Sequence, residues 1–413
     1  MKILIVSQYF WPESFIINDL AKTLRDQGHT IVVATGKPNY PGGTIYDGYT
    51  SNKVQEEIYS KDIKVIRVPL RPRKNGSAIN LVLNYISFVF SGLFYFRKIL
   101  KNYEFDVILV FGLSPITQAI PAIYLKWKTK SHLAIWVQDL WPESLAATGF
   151  IRNPLLLKIV GYMVKFIYSK MDTILIQSRG FYNAISKYTN ADKIKYYPNS
   201  FLINNKNIPE SLPSSLLWEL ENNFCIVFAG NIGKAQSVST IIGAAQLLKD
   251  LVDVKILFIG SGSMLDWLNH KIKELNLENV VIVGRFPMGV MPSIYKRASA
   301  LLVTLKNEDI FKMTIPSKIQ AYLSTGKPII ASLNGEGARV IHDSGAGLTC
   351  KAESVEELAQ CVRTIYKMNE VERLQMGEAG YKYFSEHFEM TLQAKNLINL
   401  LNDRILQTGE HQL

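Results

Sequence analysis

Residues 2–14 read KILIVSQYFWPES, a short apolar run, Ile3–Val6, that breaks into an aromatic turn ending in Trp-Pro-Glu-Ser. The next twenty-two residues fix the meaning of this run. FIINDLAKTLRDQGHT (15–30) sets Ile16, Leu20 and Leu24 at helical spacing and stops at Gly28, and IVVATG (31–36) is a second apolar run. Strand, helix, strand, with runs that are continuous rather than alternating, predicts a parallel sheet covered on both faces. KVIRVPL (64–70), DVILVFG (106–112), HLAIWVQ (132–138), TILIQS (173–178) and IKYYPNS (194–200) extend the pattern. The first turn carries SQYFWPES where a dinucleotide site would need GxGxxG, which argues against an ordinary NAD domain.

The alternation restarts after NSFLINNKNIPESLPSSLLWEL (199–220), rich in Asn, Pro and Ser. FCIVFAG, VKILFIGSG, VVIVG, ALLVTL and PIIASL then alternate with helical segments. A chain of 413 residues exceeds one ordinary core. The expected fold class is therefore α/β, with two Rossmann-like doubly wound domains facing a central cleft. The boundaries read as a first domain over 1–200, a linker over 201–220, a second domain over 221–390 and a closing helix over 391–413 that crosses back to the first.

WPES recurs at 141–144, inside HLAIWVQDLWPES (132–144), again just past an apolar run. The flanks of the two copies do not align further, so they are not a domain repeat. In an open parallel sheet ligands bind beyond the carboxyl ends of the strands, and two such loops are expected to converge on one cleft; the alternative is a stiff turn that only packs. Asp139 and Glu143 are the candidate catalytic carboxylates. Asp139 ends a buried strand, a costly place for a charge without a purpose. It suits a general base or a hydrogen-bond partner for a ligand hydroxyl, or else a helix cap. Glu13 is the counterpart in the first copy.

Charge is unevenly divided. Residues 1–200 hold 25 Lys and Arg against 13 Asp and Glu, a net of +12, while residues 201–413 hold 21 against 22, a net of −1. The first half is expected to face something anionic. Three unpaired cysteines suit a reducing compartment. Six scattered histidines offer no metal spacing, so no metal or resident cofactor is expected. ILIV is too short for a signal peptide core, and a cytoplasmic protein is expected.

AINLVLNYISFVFSGLFYF (78–96) is 19 residues without a charge, close to a membrane span. Asn80, Asn84, Ser87 and Ser91 nevertheless recur at helical steps, and Arg71, Arg73, Lys74, Arg97, Lys98 and Lys101 flank the stretch. NPLLLKIVGYMVKFIYSK (153–170) is a second basic amphipathic segment. Together they predict a helix lying at an anionic membrane surface, with core packing behind basic rims as the alternative.

In the second half, FAGNIGKAQS (228–237) and FIGSGS (258–263) put glycines at strand ends, where backbone N–H groups approach phosphate. Gly230, Asn231, Gly233, Lys234, Gly260 and Gly262 are the resulting candidates. IPSKIQAYLSTGKPIIAS (315–332) adds Ser317 and Lys318 after Pro316 at a predicted helix start. Fixed positive groups there would stabilise charge developing on a departing diphosphate.

These stretches, with VGRFPMGVMPSIYKRASALLVTL (283–305) and GHTIVVATGKPNYPGG (28–43), resemble glycosyltransferase family 4, which has the GT-B fold. Shared NYP, DLWPES, GNIGKAQ and PSKIQAY bring the chain nearest to bacterial O-antigen and capsule transferases of the N-acetyl-L-fucosamine type. The resemblance implies a retaining transfer from a UDP-sugar to a polyprenyl-diphosphate-linked saccharide, without metal or nucleic acid, by an enzyme peripheral on the inner face of the plasma membrane. It places Asp139 and Glu143 against the acceptor hydroxyl, Glu13 at the sugar or diphosphate edge, Asn39 and Tyr40 at the acceptor edge, Arg285 at the base and Gln320 at the ribose. The chain departs from the family where two glutamates are usual: the second position reads Gln320 and the first has none. The usual Arg and Lys align with Asn231 and Gln236, leaving Lys234 and Lys318, with Lys312 and Arg339 as candidate substitutes. An epimerase or phosphorylase on the same scaffold, and a non-catalytic nucleotide-binding membrane adaptor, remain rival readings.

Overall fold

The computed structural model describes residues 1–203 and 212–410. The chain divides into two compact units, Met1–Pro198 together with the segment from Met390, and Asn199–Glu389.

In the first unit the runs become strands β1 (Lys2–Ser7), β2 (Thr30–Thr35), β3 (Gln55–Tyr59), β4 (Ile63–Arg67), β5 (Val107–Gly112), β6 (His132–Val137), β7 (Thr173–Ile176) and β8 (Ile194–Tyr196). Among the described residues they form one sheet in the order β3-β4-β2-β1-β5-β6-β7-β8. Only β3 and β4 pair antiparallel. Ile3, Leu4, Ile5 and Val6 are inaccessible to solvent, as their uninterrupted apolar sequence requires of a strand covered on both faces. The chain leaves β1 in one direction through β2 and β4 and in the other through β5 to β8. The order thus reverses between β1 and β5, where an open α/β sheet leaves a crevice at its carboxyl edge. Helix Met390–Glu410 closes this unit, with Gln27 Nε2 donating to the Thr391 carbonyl at 2.8 Å and Arg404 Nη2 to that of Asp172 at 3.3 Å.

Helix Ala78–Ser91 continues through a π turn, Gly92–Phe96, into Arg97–Ile99. The stretch 78–99 is long and apolar enough to cross a membrane. Asn84, Phe88, Gly92 and Phe96, spaced by four, form its buried side. A Cβ on Gly92 would lie 2.7 Å from Pro121 Cγ, so glycine allows the close approach. The polar stripe faces the protein. Asn84 Nδ2 donates to the Arg71 carbonyl at 2.6 Å and the Arg71 N–H to Ser87 Oγ at 3.0 Å. The apolar side faces outward, with Ile79 74% and Phe90 68% exposed. That inverts the arrangement of an ordinary surface helix. Helix Pro154–Lys170 likewise exposes Leu155, Ile159, Tyr162 and Phe166.

The second unit contains β9 (Phe224–Asn231), β10 (Val254–Ser261), β11 (Val280–Gly284), β12 (Ala300–Thr304), β13 (Ile329–Ser332) and β14 (Gly347–Cys350). They lie in the order β11-β10-β9-β12-β13-β14, every pair parallel. Here the order reverses between β9 and β12. Of the stretch expected as a linker, 204–211 lies outside the described residues. Ser214–Asn222 is a helix that sends Leu216 and Leu220 into the unit's core beside Leu212, so this part is domain rather than tether.

Candidate active site

The loop after β1 is built around a buried carboxylate. Glu13 Oε1 accepts from the backbone N–H of Asn39 at 2.8 Å and of Tyr40 at 2.7 Å, and Oε2 from that of Phe10 at 3.2 Å. Burial raises its pKa to about 7 in spite of the three N–H donors. Asn39 is also buried. Its amide donates to the Lys37 carbonyl at 2.9 Å, and its Oδ1 accepts from the Arg73 N–H at 3.1 Å. The structure therefore corrects the expectation that Glu13 and Asn39 line a sugar edge. Both are consumed in holding the 36–41 loop against β1. Tyr40, 39% exposed, does present its ring, with the Arg73 guanidinium over it at 4.9 Å and over Tyr9 at 5.8 Å.

Under these loops runs a polar network that periodicity does not announce. The Gln8 N–H donates to Gln118 Oε1 and Gln8 Nε2 to Asn84 Oδ1, each at 2.7 Å, which ties the ends of β1 and β5 to helix Ala78–Ser91. Close by, Arg67 is fully buried, bonded to Glu57 and to the Trp11 carbonyl.

The second WPES loop is built otherwise. Asp139 Oδ2 accepts from the Ser114 N–H at 2.8 Å, and Trp141 Nε1 donates to Ser114 Oγ at 2.9 Å, so the β5 and β6 loops are stitched together. Asp139 stays half-buried. Its N–H partner lies on a neighbouring strand's loop, which sets aside the helix-cap alternative. Glu143 opens the short helix Glu143–Ala147, and its Oε2 is buried without a hydrogen-bond partner. Tyr168 OH and Ser144 Oγ are buried and unpartnered too. Both Trp-Pro bonds, at 11–12 and 141–142, are cis.

In the second unit the reversal point holds Lys318. It lies in the first turn of helix Ser317–Leu323, which Pro316 initiates. Its ammonium sits 3.8 Å over the Phe228 ring and donates to Gln236 Oε1 at 2.8 Å. Burial lowers its pKa to about 7, with no carboxylate beside it to resist. Gly230 has φ +120°, and a Cβ there would come within 2.9 Å of Lys318 Cε, so this glycine makes room for the lysine. Gly260 serves strand packing instead, since its Cβ would fall 1.8 Å from the Gly230 carbonyl oxygen. Gly233 and Gly262 are similarly hemmed in by Asn231 and Ile232. Lys234 and Lys306 line a cavity of about 240 Å³ with Ser237, at the start of helix Val238–Leu247. Cations at an uncapped helix N-terminus suit an anion.

Other expected residues are placed less favourably. Gln320 is buried, and its amide nitrogen, in the orientation that satisfies its surroundings, donates to the carbonyls of Ser317 at 3.1 Å and Pro316 at 3.0 Å. It is turned into its own helix. Arg285 is exposed past β11, at the sheet's edge. Lys312 pairs with Asp309 at 2.8 Å, and Arg339 with Glu336 at 3.0 Å and Asp343 at 2.7 Å, so neither is a free substitute cation. Ser317 and Asn231 are exposed. Sequence reading passed over Phe228, Lys306, Ser114 and the stacking role of Arg73. The one available signal was the position of each just before or just after an apolar run. Among the described residues no group of three His, Cys, Asp or Glu side chains is placed to hold a metal ion.

Residues 218–383 match the family model described as glycosyl transferases group 1. The chain is 24% identical over 98% of its length, and 99% of the relative's, to a putative colanic acid biosynthesis glycosyl transferase, WcaI, of Escherichia coli K12. It is 22% identical to a probable glycosyltransferase, WbjE, of Pseudomonas aeruginosa, over 72% of this chain and 75% of that one. Among solved structures, it is similar to Anabaena Alr3699/HepE in complex with UDP (TM-score 0.70, 15% identity, 98% and 100% covered). It is also similar to a sucrose-phosphate synthase of Thermosynechococcus elongatus (TM-score 0.73, 13% identity, 97% and 98% covered). Two doubly wound parallel sheets, each open at its reversal point, are the GT-B architecture, and with a group 1 domain over 218–383 the chain is a glycosyltransferase.

Proposed function

We propose that this glycosyltransferase moves a sugar from a UDP-sugar to a polyprenyl-diphosphate-linked saccharide during surface-polysaccharide assembly, working from the inner face of the plasma membrane with retention of configuration. N-acetyl-L-fucosamine is the sugar suggested by the resemblance of NYP, DLWPES, GNIGKAQ and PSKIQAY. The observation that carries the donor side is Lys318: an ammonium desolvated at the β9/β12 reversal, with an amide oxygen and a ring face as its partners among the described residues. A buried cation without a carboxylate is costly and gains most when an anion arrives. On a leaving nucleoside diphosphate it stabilises charge that grows in the transition state. A relative named for colanic acid biosynthesis and a neighbour holding UDP support the same substrate class. The outward apolar side of 78–96, flanked by Arg71, Arg73, Lys74, Arg97 and Lys98, supports docking at an anionic bilayer. Asp139 is the acceptor-side base in this reading.

A thermal-shift panel with UDP, GDP, dTDP, CMP and NAD in EDTA tests it. UDP at about 100 times its Kd adds roughly 2.7 kcal/mol of stability, and Lys318→Met abolishes that gain. A GDP-selective response replaces the donor, and no response to any nucleotide ends the donor reading.

A further inference from the structure

The first unit carries a groove that donor chemistry does not use. It measures about 370 Å³, and its floor and walls come from Ile86, Val89, Ile120, Trp141 and Val160; Tyr85, Thr117 and Trp141 alone among its lining residues carry a polar side-chain atom. Ile86 is 45% exposed at the rim. An apolar slot open to solvent calls for hydrocarbon, and its polar edge says which.

At the Tyr85 end, the neighbouring Asn84 reaches Asn39 Oδ1 at 3.4 Å, the same oxygen that accepts the Arg73 N–H at 3.1 Å. The Arg73 guanidinium is stacked on Tyr40 and Tyr9, and its electrostatic influence extends to the Tyr85 hydroxyl. No carboxylate of the described residues pairs with Arg73, whereas Arg67, Arg339 and Arg363 all have partners. A guanidinium without a carboxylate partner, placed over two rings, is preorganised for phosphate oxygens. Asp139 acts on the same Tyr85 hydroxyl, and the Trp141 indole in the groove wall donates to Ser114, whose N–H in turn binds Asp139. One apolar slot thus opens beside a free cation and the candidate base.

We propose that this groove holds the first isoprene units of the lipid-linked acceptor, with Arg73 taking the diphosphate that joins lipid to sugar. The site rests on the proposal of a lipid-linked acceptor and locates that substrate. The chain lies along helix Ala78–Ser91, the diphosphate stops at the Tyr85 end, and the first sugar is left near Asp139. The length of chain beyond the slot passes over the exposed apolar face of the same helix.

Titration calorimetry of the full-length protein with farnesyl diphosphate and with inorganic pyrophosphate tests this. Farnesyl diphosphate should bind at least tenfold tighter than pyrophosphate. Ile86→Asn and Val160→Asn, both at solvent-accessible positions, should erase that advantage and leave pyrophosphate affinity intact. Arg73→Gln should weaken both ligands about tenfold. Equal affinity for the two ligands, or groove variants that bind as the wild type does, would overturn the proposal. Displacement of farnesyl diphosphate by phosphatidylglycerol vesicles would overturn it as well, by making the groove a contact for bilayer lipid. UDP stabilisation is read on every variant. If it persists while farnesyl diphosphate fails, the groove is lost and the donor reading stands; the reverse result loses the donor reading and keeps the groove.

Discussion

The two Trp-Pro-Glu-Ser turns have the same four residues, the same cis Trp-Pro bond and the same place just past a buried strand, yet they use their side chains in opposite ways. In the first, the glutamate is the internal part: Glu13 clamps three backbone N–H groups, and Trp11 is left 38% exposed, leaning on Tyr59 at 5.4 Å. In the second, the tryptophan is the internal part. Trp141 is buried and bonded to Ser114, while one oxygen of Glu143 lies buried without a partner. A loop from a neighbouring strand decides each case. The β2 loop brings the N–H groups of Asn39 and Tyr40 to the first copy, and the β5 loop brings Ser114 to the second. The lesson is that a motif fixes a turn, and its tertiary neighbours fix the job of each side chain. The first copy is a brace. The second, with Asp139 just ahead of it, is where an unsatisfied carboxylate and a candidate base sit together.

The comparison can be broken in four places. Asp139→Asn keeps an acceptor for the Ser114 N–H and removes the base. Transfer should fall by about a hundredfold or more, with the melting temperature unchanged; full activity would reduce the second turn to a brace as well. The tryptophans come next. Trp141→Ala should cost about 3 kcal/mol through its cavity and lost hydrogen bond, against about 1 kcal/mol for half-exposed Trp11→Ala, read as denaturant midpoints. Equal losses would erase the contrast in burial.

The glutamates should rank the other way. Glu13→Ala strands three N–H groups and should cost about 2–3 kcal/mol. Glu143→Gln removes a buried charge with no partner at one oxygen and should stay within about 1 kcal/mol of wild type. The last test sharpens the first copy alone. The pKa of Glu13 is raised from 4.5 to about 7, so between those values the folded state binds more proton than the unfolded one. Stability should therefore fall as pH rises from 4.5 to 7, by up to roughly 1 kcal/mol per pH unit. Glu13→Gln should flatten that slope, and a wild-type profile that is flat or rising through this window would mean that the N–H donors outweigh desolvation.

Much of this was written in the chain. Continuous apolar runs broken by helical spacing determine two parallel sheets, because a strand covered on both faces needs apolar residues at every position. Pro316 ahead of Ser317-Lys318 determines a helix start bearing a cation, because proline fits the first helical turn. What tertiary structure decided is direction. The stripe Asn80, Asn84, Ser87 and Ser91 is legible as one face of a helix, yet only packing against Gln8, Asn39 and the Arg71 carbonyl turns it inward and leaves the apolar side out. Glycines at the ends of β9 and β10 are legible as a phosphate loop, yet the adjacent strand end accounts for Gly260 and the lysine above for Gly230. Gln320 reads as a ribose ligand until its helix folds it back on Pro316 and Ser317. Periodicity is a property of neighbours along the chain, so sequence alone determines which residues share a face. Whether that face meets solvent, a carboxylate or a ligand depends on residues 45 to 110 positions away, brought together only when the sheet closes its order.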